Sequence, residues 1–338
     1  ESRIKVIHHN VCLGAVGGKE CKVKMDKIIW IKYFLKSKFN IILNKFNLIK
    51  FVNHKYKSEI FDLYDTNQLI KKWILEGKPR MIARYGSNEA YVTAETIGVN
   101  LGIKKKIRKK LLLSIYRNAG LFPYGEKTAI EFGNLMVDVS KEVDLLGAWK
   151  TIMQDYLINE VCSKNVKLTH LSSLEPYYEE NIPWTSALKG KKVLIIHPFN
   201  KTIEEQYKRR DKIFANKNIL PEFDLYTLKA VQTIAGEKDE RFKHWFEALD
   251  YMYNEALKID FDVAIIGCGA YGFPLAAKLK RAGKITIHLG GAVQILFGIK
   301  GSRWDNGEVS KFYNEYWVRP DDKDKPQNAN NVENGCYW

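Results

Sequence analysis

Apolar positions along this chain follow two registers, and their alternation predicts its architecture. Short aliphatic and β-branched runs read as buried strands at Arg80–Ala83, Asp144–Trp149, Lys192–Ile196, Phe223–Leu228, Val263–Ile266 and Ile285–Leu289. Between them, apolar residues recur at steps of three and four, which predicts helices over Ile60–Glu76, 103–117, 125–142 and about 240–258. Gly77 and Pro79 should end the first of these. Thr202 and Glu205 predict a capping box for a helix carrying Gln206, Arg209 and Arg210. Near-continuous apolar strands alternating with helices predict an α/β fold: a Rossmann-like, mostly parallel sheet with helices on both faces.

Two further helical stripes are set among lysines. Ile28, Ile31, Leu35, Phe39, Ile42, Phe46 and Ile49 form one, within an amphipathic helix or helices over residues 22–57. Ile103, Ile107, Leu111 and Ile115 form the other, in KKKIRKKLLLSIYR. The expected organisation is a leader with basic amphipathic helices over 1–57, an α/β domain over 58–319, and a polar tail over 320–338. Residues 1–21 read as a leader ahead of a candidate natural start at Met25, and the tail as disordered until a docked aromatic end, Cys336-Tyr337-Trp338.

Charge sharpens the contrast between these regions. The net charge is +15, yet residues 22–57 and 104–117 together carry +16, so the remainder sums to −1. Basic amphipathic helices suit an anionic membrane surface; the competing reading is that both stripes pack on the domain and the lysines are merely solvated. Nucleic acid is not expected, because no helix-turn-helix, RNP or zinc-finger pattern accompanies the lysines. With 338 residues, 46% of them apolar, the chain can bury a large core, but no run of 18 apolar residues exists and no signal peptide is evident. Five scattered cysteines (Cys12, Cys21, Cys162, Cys268 and Cys336) suit a reducing cytoplasm. The expected location is therefore cytoplasmic, peripheral on the inner face of the plasma membrane. His8, His9, Cys12 and Cys21 have a spacing that fits no common zinc site.

The chemistry is signalled by DVAIIGCGAYGFPLAAKLKRAGKITIHLGG, residues 262–291. A strand runs into Gly267-Cys268-Gly269-Ala270-Tyr271-Gly272, then a helix, then a strand ending in His288-Leu289-Gly290-Gly291. Backbone N–H groups in such a turn, with the positive end of the helix, suit a phosphate. The spacing matches G-x-G-x-x-G, but the second strand ends without the acid that would hold an NAD ribose. An NAD(P)- or S-adenosylmethionine-dependent enzyme, a non-catalytic nucleotide-binding scaffold and a purely structural turn remain alternatives. Ligands on parallel sheets sit at the carboxyl ends of strands. Three such ends should therefore converge: Arg84-Tyr85-Gly86-Ser87-Asn88-Glu89, His197 to Asn200-Lys201-Thr202, and Gly267–Gly272 with His288, Gly290 and Gly291.

These residues carry a resemblance. A basic helix, then R-[FY]-G-x-x-E after a short strand, then a glycine turn after a late strand, resembles the bacterial GT-D-fold glycosyltransferases, over roughly residues 78–305. The resemblance implies a nucleotide-sugar donor, a UDP-sugar first among them, and a glycan or lipid-linked acceptor in surface polysaccharide or glycoprotein synthesis. It also implies that the family's R-F-G-D-G-E motif stands here at Arg84–Glu89, with Ser87 in place of the first acid. A hydroxyl is a poor ligand for a hard cation, so use of a divalent metal is left open, with Glu89 as its one candidate ligand. Glu89 is the first candidate general base and His197 the second. Arg84 is expected beside a diphosphate, with Lys201, Arg209 and Arg210 as further cations. Trp149, Asp155 and Tyr156, in LGAWKTIMQDY, are weaker candidates for binding acceptor or base.

Overall fold

The computed structural model describes residues 17–46, 55–149, 151–332 and 335–338, with the side chains of 17–21, 44 and 331 set aside. His8, His9, Cys12, the Cys21 side chain and Ile49 lie outside the described residues, as does most of the leader.

Eight parallel strands form one sheet: β1 (Ile60–Phe61), β2 (Arg80–Arg84), β3 (Leu145–Ala148), β4 (Lys167–His170), β5 (Lys192–His197), β6 (Asp224–Lys229), β7 (Val263–Ile266) and β8 (Ile285–His288). Their order is β1-β4-β3-β2-β8-β7-β5-β6. Alternate residues of each strand enter opposite cores. Met81, Leu146, Leu194 and Ala264 pack on one face, and Ile82, Leu145, Ile195 and Ile265 on the other. Helices cover both faces, which is why the strands read as nearly continuous apolar runs. The Rossmann-like expectation holds.

The principal helices are α1 (Gly17–Lys45), α2 (Leu63–Glu76), α3 (Ser87–Asn100), α4 (Lys109–Ala119), α5 (Glu126–Val139), α6 (Asn200–Tyr207), α7 (Trp245–Leu257) and α8 (Gly272–Arg281). Several boundaries differ from the sequence reading, for identifiable reasons. Ile60 and Phe61 are not helical: they pair with Leu168 and Thr169, and Asp62 then caps α2 by accepting the Asp65 amide at 2.8 Å. β4 was not anticipated, because KLTH is short and offers too few apolar positions for a strand signal. Residues 103–108 do not join α4. The Ile103 and Lys104 amides bond the Gly98 carbonyl, and those of Ile107 and Arg108 bond Glu126 and Glu95. The Thr202–Glu205 capping box does not form. Helix α6 begins three residues earlier, with Phe199 as its N-cap and no side-chain cap, so Thr202 lies inside the first turn.

Topology directs attention to one edge. From β5 the chain moves outward to β6, then crosses back to β7 on the other side of β5. From β2 it moves outward to β3, while β8 closes against the opposite side of β2. The carboxyl ends of β5, β7, β8 and β2 are therefore neighbours, at switch points of the kind where parallel sheets bind ligands.

Candidate functional site

The two glycine turns and His197 meet at this edge. A Cβ on Gly267 would lie 2.6 Å from the Gly290 carbonyl oxygen and 2.8 Å from the His197 ring. Gly290 has φ of +62°, and a Cβ there would stand 2.7 Å from Arg84 Nη1. Arg84 is thus pressed against the second turn by a contact that only glycine permits. Its guanidinium lies over the Trp149 ring, 5.3 Å from the centroid, and Trp149 is itself fixed by donating Nε1–H to the Tyr85 carbonyl at 2.9 Å. Arg84 Nε is buried and has no hydrogen-bond partner among the described residues. Close to it, burial raises the Glu175 carboxyl above its usual value, against the lowering effects of the Tyr177 hydroxyl, 2.5 Å away, and of Arg84.

A cavity of about 90 Å³ opens between the two glycine turns and His197, with Arg84 behind Gly290 and not in its lining. Its walls include Gly267–Gly269, Tyr271, Gly290 and Gly291, together with His197 at the end of β5, Pro198 and Phe199 after it, Val231–Ile234 beyond β6, and Asn118 at the end of α4. Ala119, Gln294, Tyr337 and Trp338 complete the lining. The carboxyl-terminal segment is held there by Gln294, whose amide donates to the Tyr337 carbonyl at 2.8 Å, and by the Ser302 amide, which donates to the Trp338 carbonyl at 3.3 Å. The tail is not without structure: short 3-10 turns at Asp322–Asp324 and Ala329–Asn331 lead toward this end, and Asp324 is paired with Lys229 at 3.1 Å.

The first glycine turn is braced from below. Thr233 donates its hydroxyl to the Gly120 carbonyl at 2.8 Å, so the Tyr271 hydroxyl, 3.0 Å away, is the donor to Thr233. The Tyr271 ring stacks on Trp245 at 4.6 Å. Ala270 is buried, and so is Cys268, whose thiol is raised by burial. A Cβ on Gly272 would collide with the His288 ring at 2.5 Å, so the start of α8 is seated directly on that imidazole.

His197 does not suit the role of general base. Its Nδ1 already accepts the Phe199 amide at 3.0 Å, and burial depresses its pKa to about 3. The ring is neutral, with its proton on Nε2, which makes it a hydrogen-bond donor. His288 is likewise neutral, lowered to about 3 by burial first and the Arg84 charge second, against the raising effect of the Arg84 backbone beside it.

The Arg84–Glu89 motif divides. Tyr85 is not at the site: its ring is fully buried, stacked on Phe273 at 4.8 Å, with its hydroxyl on Ser140 Oγ at 2.6 Å. Gly86 is the N-cap of α3, and the Glu89 carboxylate folds back over it, into the space a Cβ would occupy. Ser87 is exposed. Asn88 accepts from Ser114 Oγ at 2.8 Å, and Asn118 donates to the same hydroxyl at 3.4 Å, linking the motif to the cavity wall. Among the described residues, no group of three His, Cys, Asp or Glu side chains gathers in a metal-ligating cluster.

Other candidates lie elsewhere. Asp155 is buried in an ion pair with Lys36 at 2.9 Å, and Tyr156 packs edge-on to Tyr33, so both anchor α1 and are not acceptor ligands. Lys201 is exposed and paired with Glu204, Arg209 is exposed, and Arg210 pairs with Glu222 at 3.2 Å. None of the three lines the cavity. Asn200 is buried at the start of α6, with Nδ2 3.4 Å from Thr227 Oγ1 and Oδ1 unpartnered among the described residues. Sequence reasoning missed Glu175, Gln232, Thr233 and Asn118. Only Gln232 and Thr233 carried a signal, as the residues following a parallel strand.

No protein-family profile and no curated protein matches this chain. Two solved structures are similar to it over about 70% of its length. One, described as "The highly conserved domain of unknown function 1792 has a distinct glycosyltransferase fold", has a TM-score of 0.41 at 12% identity, covering 69% of this chain and 78% of that one. The other is a selenomethionine-substituted structure of domain of unknown function 1792, with a TM-score of 0.41 at 13% identity, covering 70% and 79%. Likeness at this level carries no argument about activity, which has to come from the site itself.

Proposed function

We propose that this chain is a glycosyltransferase of GT-D type that takes a sugar from a nucleotide-sugar, a UDP-sugar first among the candidates, and passes it to a glycan or lipid-linked acceptor. The observation that carries this reading is the meeting of two glycine turns, a neutral histidine donor and the Arg84 guanidinium at one switch point. Breaking a glycosyl–phosphate bond builds negative charge on the departing diphosphate, and fixed donors and a cation at the phosphates stabilise that charge. The N–H groups of the turn beyond Gly267, whose own amide is taken by the Ile196 carbonyl, together with His197 Nε2 and Arg84, are the groups assigned to this task.

Glu89 is the residue assigned to receive the acceptor proton or to join donor phosphates in holding Mg²⁺ or Mn²⁺. With Ser87 beside it, the chain supplies one carboxylate, enough for such an ion only when phosphates share it. Activity should therefore depend weakly on added metal.

The test is release of nucleoside diphosphate from a panel of UDP-, GDP- and CMP-sugars, alongside thermal shifts with the same donors, NAD(P) and S-adenosylmethionine. Arg84→Ala should weaken both donor stabilisation and turnover. Glu89→Gln should lower turnover strongly in either role, sparing donor stabilisation if Glu89 is the base and weakening it if Glu89 is a metal ligand. A thermal response to NAD(P) or S-adenosylmethionine alone would overturn the proposal.

A further inference from the structure

Helix α1 docks on the domain with the face opposite its most regular apolar stripe. Trp30 is 1% exposed, donates Nε1–H to the Ala94 carbonyl at 2.9 Å, and stacks on Phe34 at 4.7 Å. Ser37 and Asn40 are buried beside it, and Lys36 reaches Asp155. One half-turn around the helix, the other stripe faces outward: Ile28 is 61% exposed, Leu35 60%, Phe39 60% and Phe46 67%, with Ile31 and Ile42 also exposed. An unbroken row of six large apolar side chains along a helix is far beyond the scattered single exposures of an ordinary surface.

We infer that this stripe lies in the surface of an anionic bilayer, with α1 parallel to the membrane plane. Charge selects that occupant. At 3.6 residues per turn, Lys27, Lys38 and Lys45 fall on one flank of the stripe and Lys32 on the other. From Lys22 to Phe46 the sole acid is Asp26. Lys104 stands 5.4 Å from the Phe34 ring, so the second basic segment adjoins α1 and extends the positive surface through exposed Lys105, Lys106, Lys109 and Lys110. A second copy of the chain would set lysine flank against lysine flank, whereas acidic headgroups neutralise both. No helix among the described residues is long and apolar enough to cross a membrane, so the contact is interfacial. This inference is independent of sugar transfer and holds or fails without a donor.

Flotation of the full chain with phosphatidylcholine vesicles, with and without phosphatidylserine, tests it. Binding should require phosphatidylserine, and part of it should persist at high salt, where screening removes the electrostatic share. Leu35→Ser with Phe39→Ser should weaken partitioning at least about tenfold at every salt concentration. Ile28→Ser with Ile42→Ser is the second pair, and both sets of positions are exposed, so melting should be unchanged. Replacing Lys105, Lys106, Lys109 and Lys110 by Gln should weaken binding at low salt only. Full binding by both serine pairs would overturn the inference. So would a wild-type dimer that the serine pairs dissociate while vesicles bind neither form.

Discussion

The two lysine-rich segments look alike as sequence and end in opposite environments. In residues 103–119 the apolar stripe turns inward: Ile107, Leu111 and Ile115 are buried, and two of the cations, Lys104 and Arg108, converge on the fully buried Glu95 at 2.8 and 2.6 Å. In α1 the equivalent stripe turns outward, and a less regular set, Trp30, Tyr33 and Phe34, makes the contact. Periodicity establishes that a helix has an apolar face. It does not establish which face meets the domain when a helix carries two. α1 has enough aromatic residues on its second face to dock there, leaving the regular stripe unused. The 103–119 segment has a single face and a buried carboxylate waiting beneath it.

This contrast can be broken by substitution, and the largest effect is expected within α1 itself. Trp30→Ala should cost about 4 kcal/mol, since it removes a buried indole and its hydrogen bond to the Ala94 carbonyl, whereas Leu35→Ala should stay within about 0.5 kcal/mol. Urea denaturation measures both, and equal costs would mean that the docked face is misassigned. In the second segment, Ile115→Ala should cost about 3 kcal/mol, because there the regular stripe is the buried one. A cost near zero would place this helix in the same class as the outer face of α1.

Glu95→Gln should cost about 2 kcal/mol, less than the loss of a wholly buried pair because Arg108 is 41% exposed on its side chain. If the variant is as stable as the wild type, the cations are solvated and Glu95 does not organise the loop. The smallest effect belongs to Lys38, where the two segments meet. Burial, then Arg108 and Lys104, holds its ammonium below the usual value. The charged form is therefore penalised in the folded state. The penalty is complete at neutral pH and is relieved as pH rises through the lowered value toward that of the unfolded chain. Lys38→Gln should raise the melting temperature slightly at neutral pH and not at strongly alkaline pH.

The candidate site shows the same division between local and non-local information. The strand before the glycine turn is legible at Val263–Ile266 and stands there, because four fully buried aliphatic residues in a row leave little alternative. Arg84, His197 and Gly290 are strand-end residues on the sequence pattern, and the structure brings them to one edge. Their states were not legible. The donor character of His197 follows from the Phe199 amide that turns back on it, and Tyr85 differs from Arg84 only in the side of the strand it faces. Asp155 and Tyr156 resembled ligands by type, yet α1 claims both from more than a hundred residues away along the chain.

By itself, the sequence determined the parallel α/β architecture, the glycine turns and the presence of two lysine-bordered stripes, because all three are written in spacings of a few residues. The tertiary structure alone decided which stripe is buried, which histidine nitrogen carries the proton, which motif residues face the cavity and that Tyr337 and Trp338 wall it. Each of those depends on what desolvates or pairs with a group, and the partners come from distant parts of the chain.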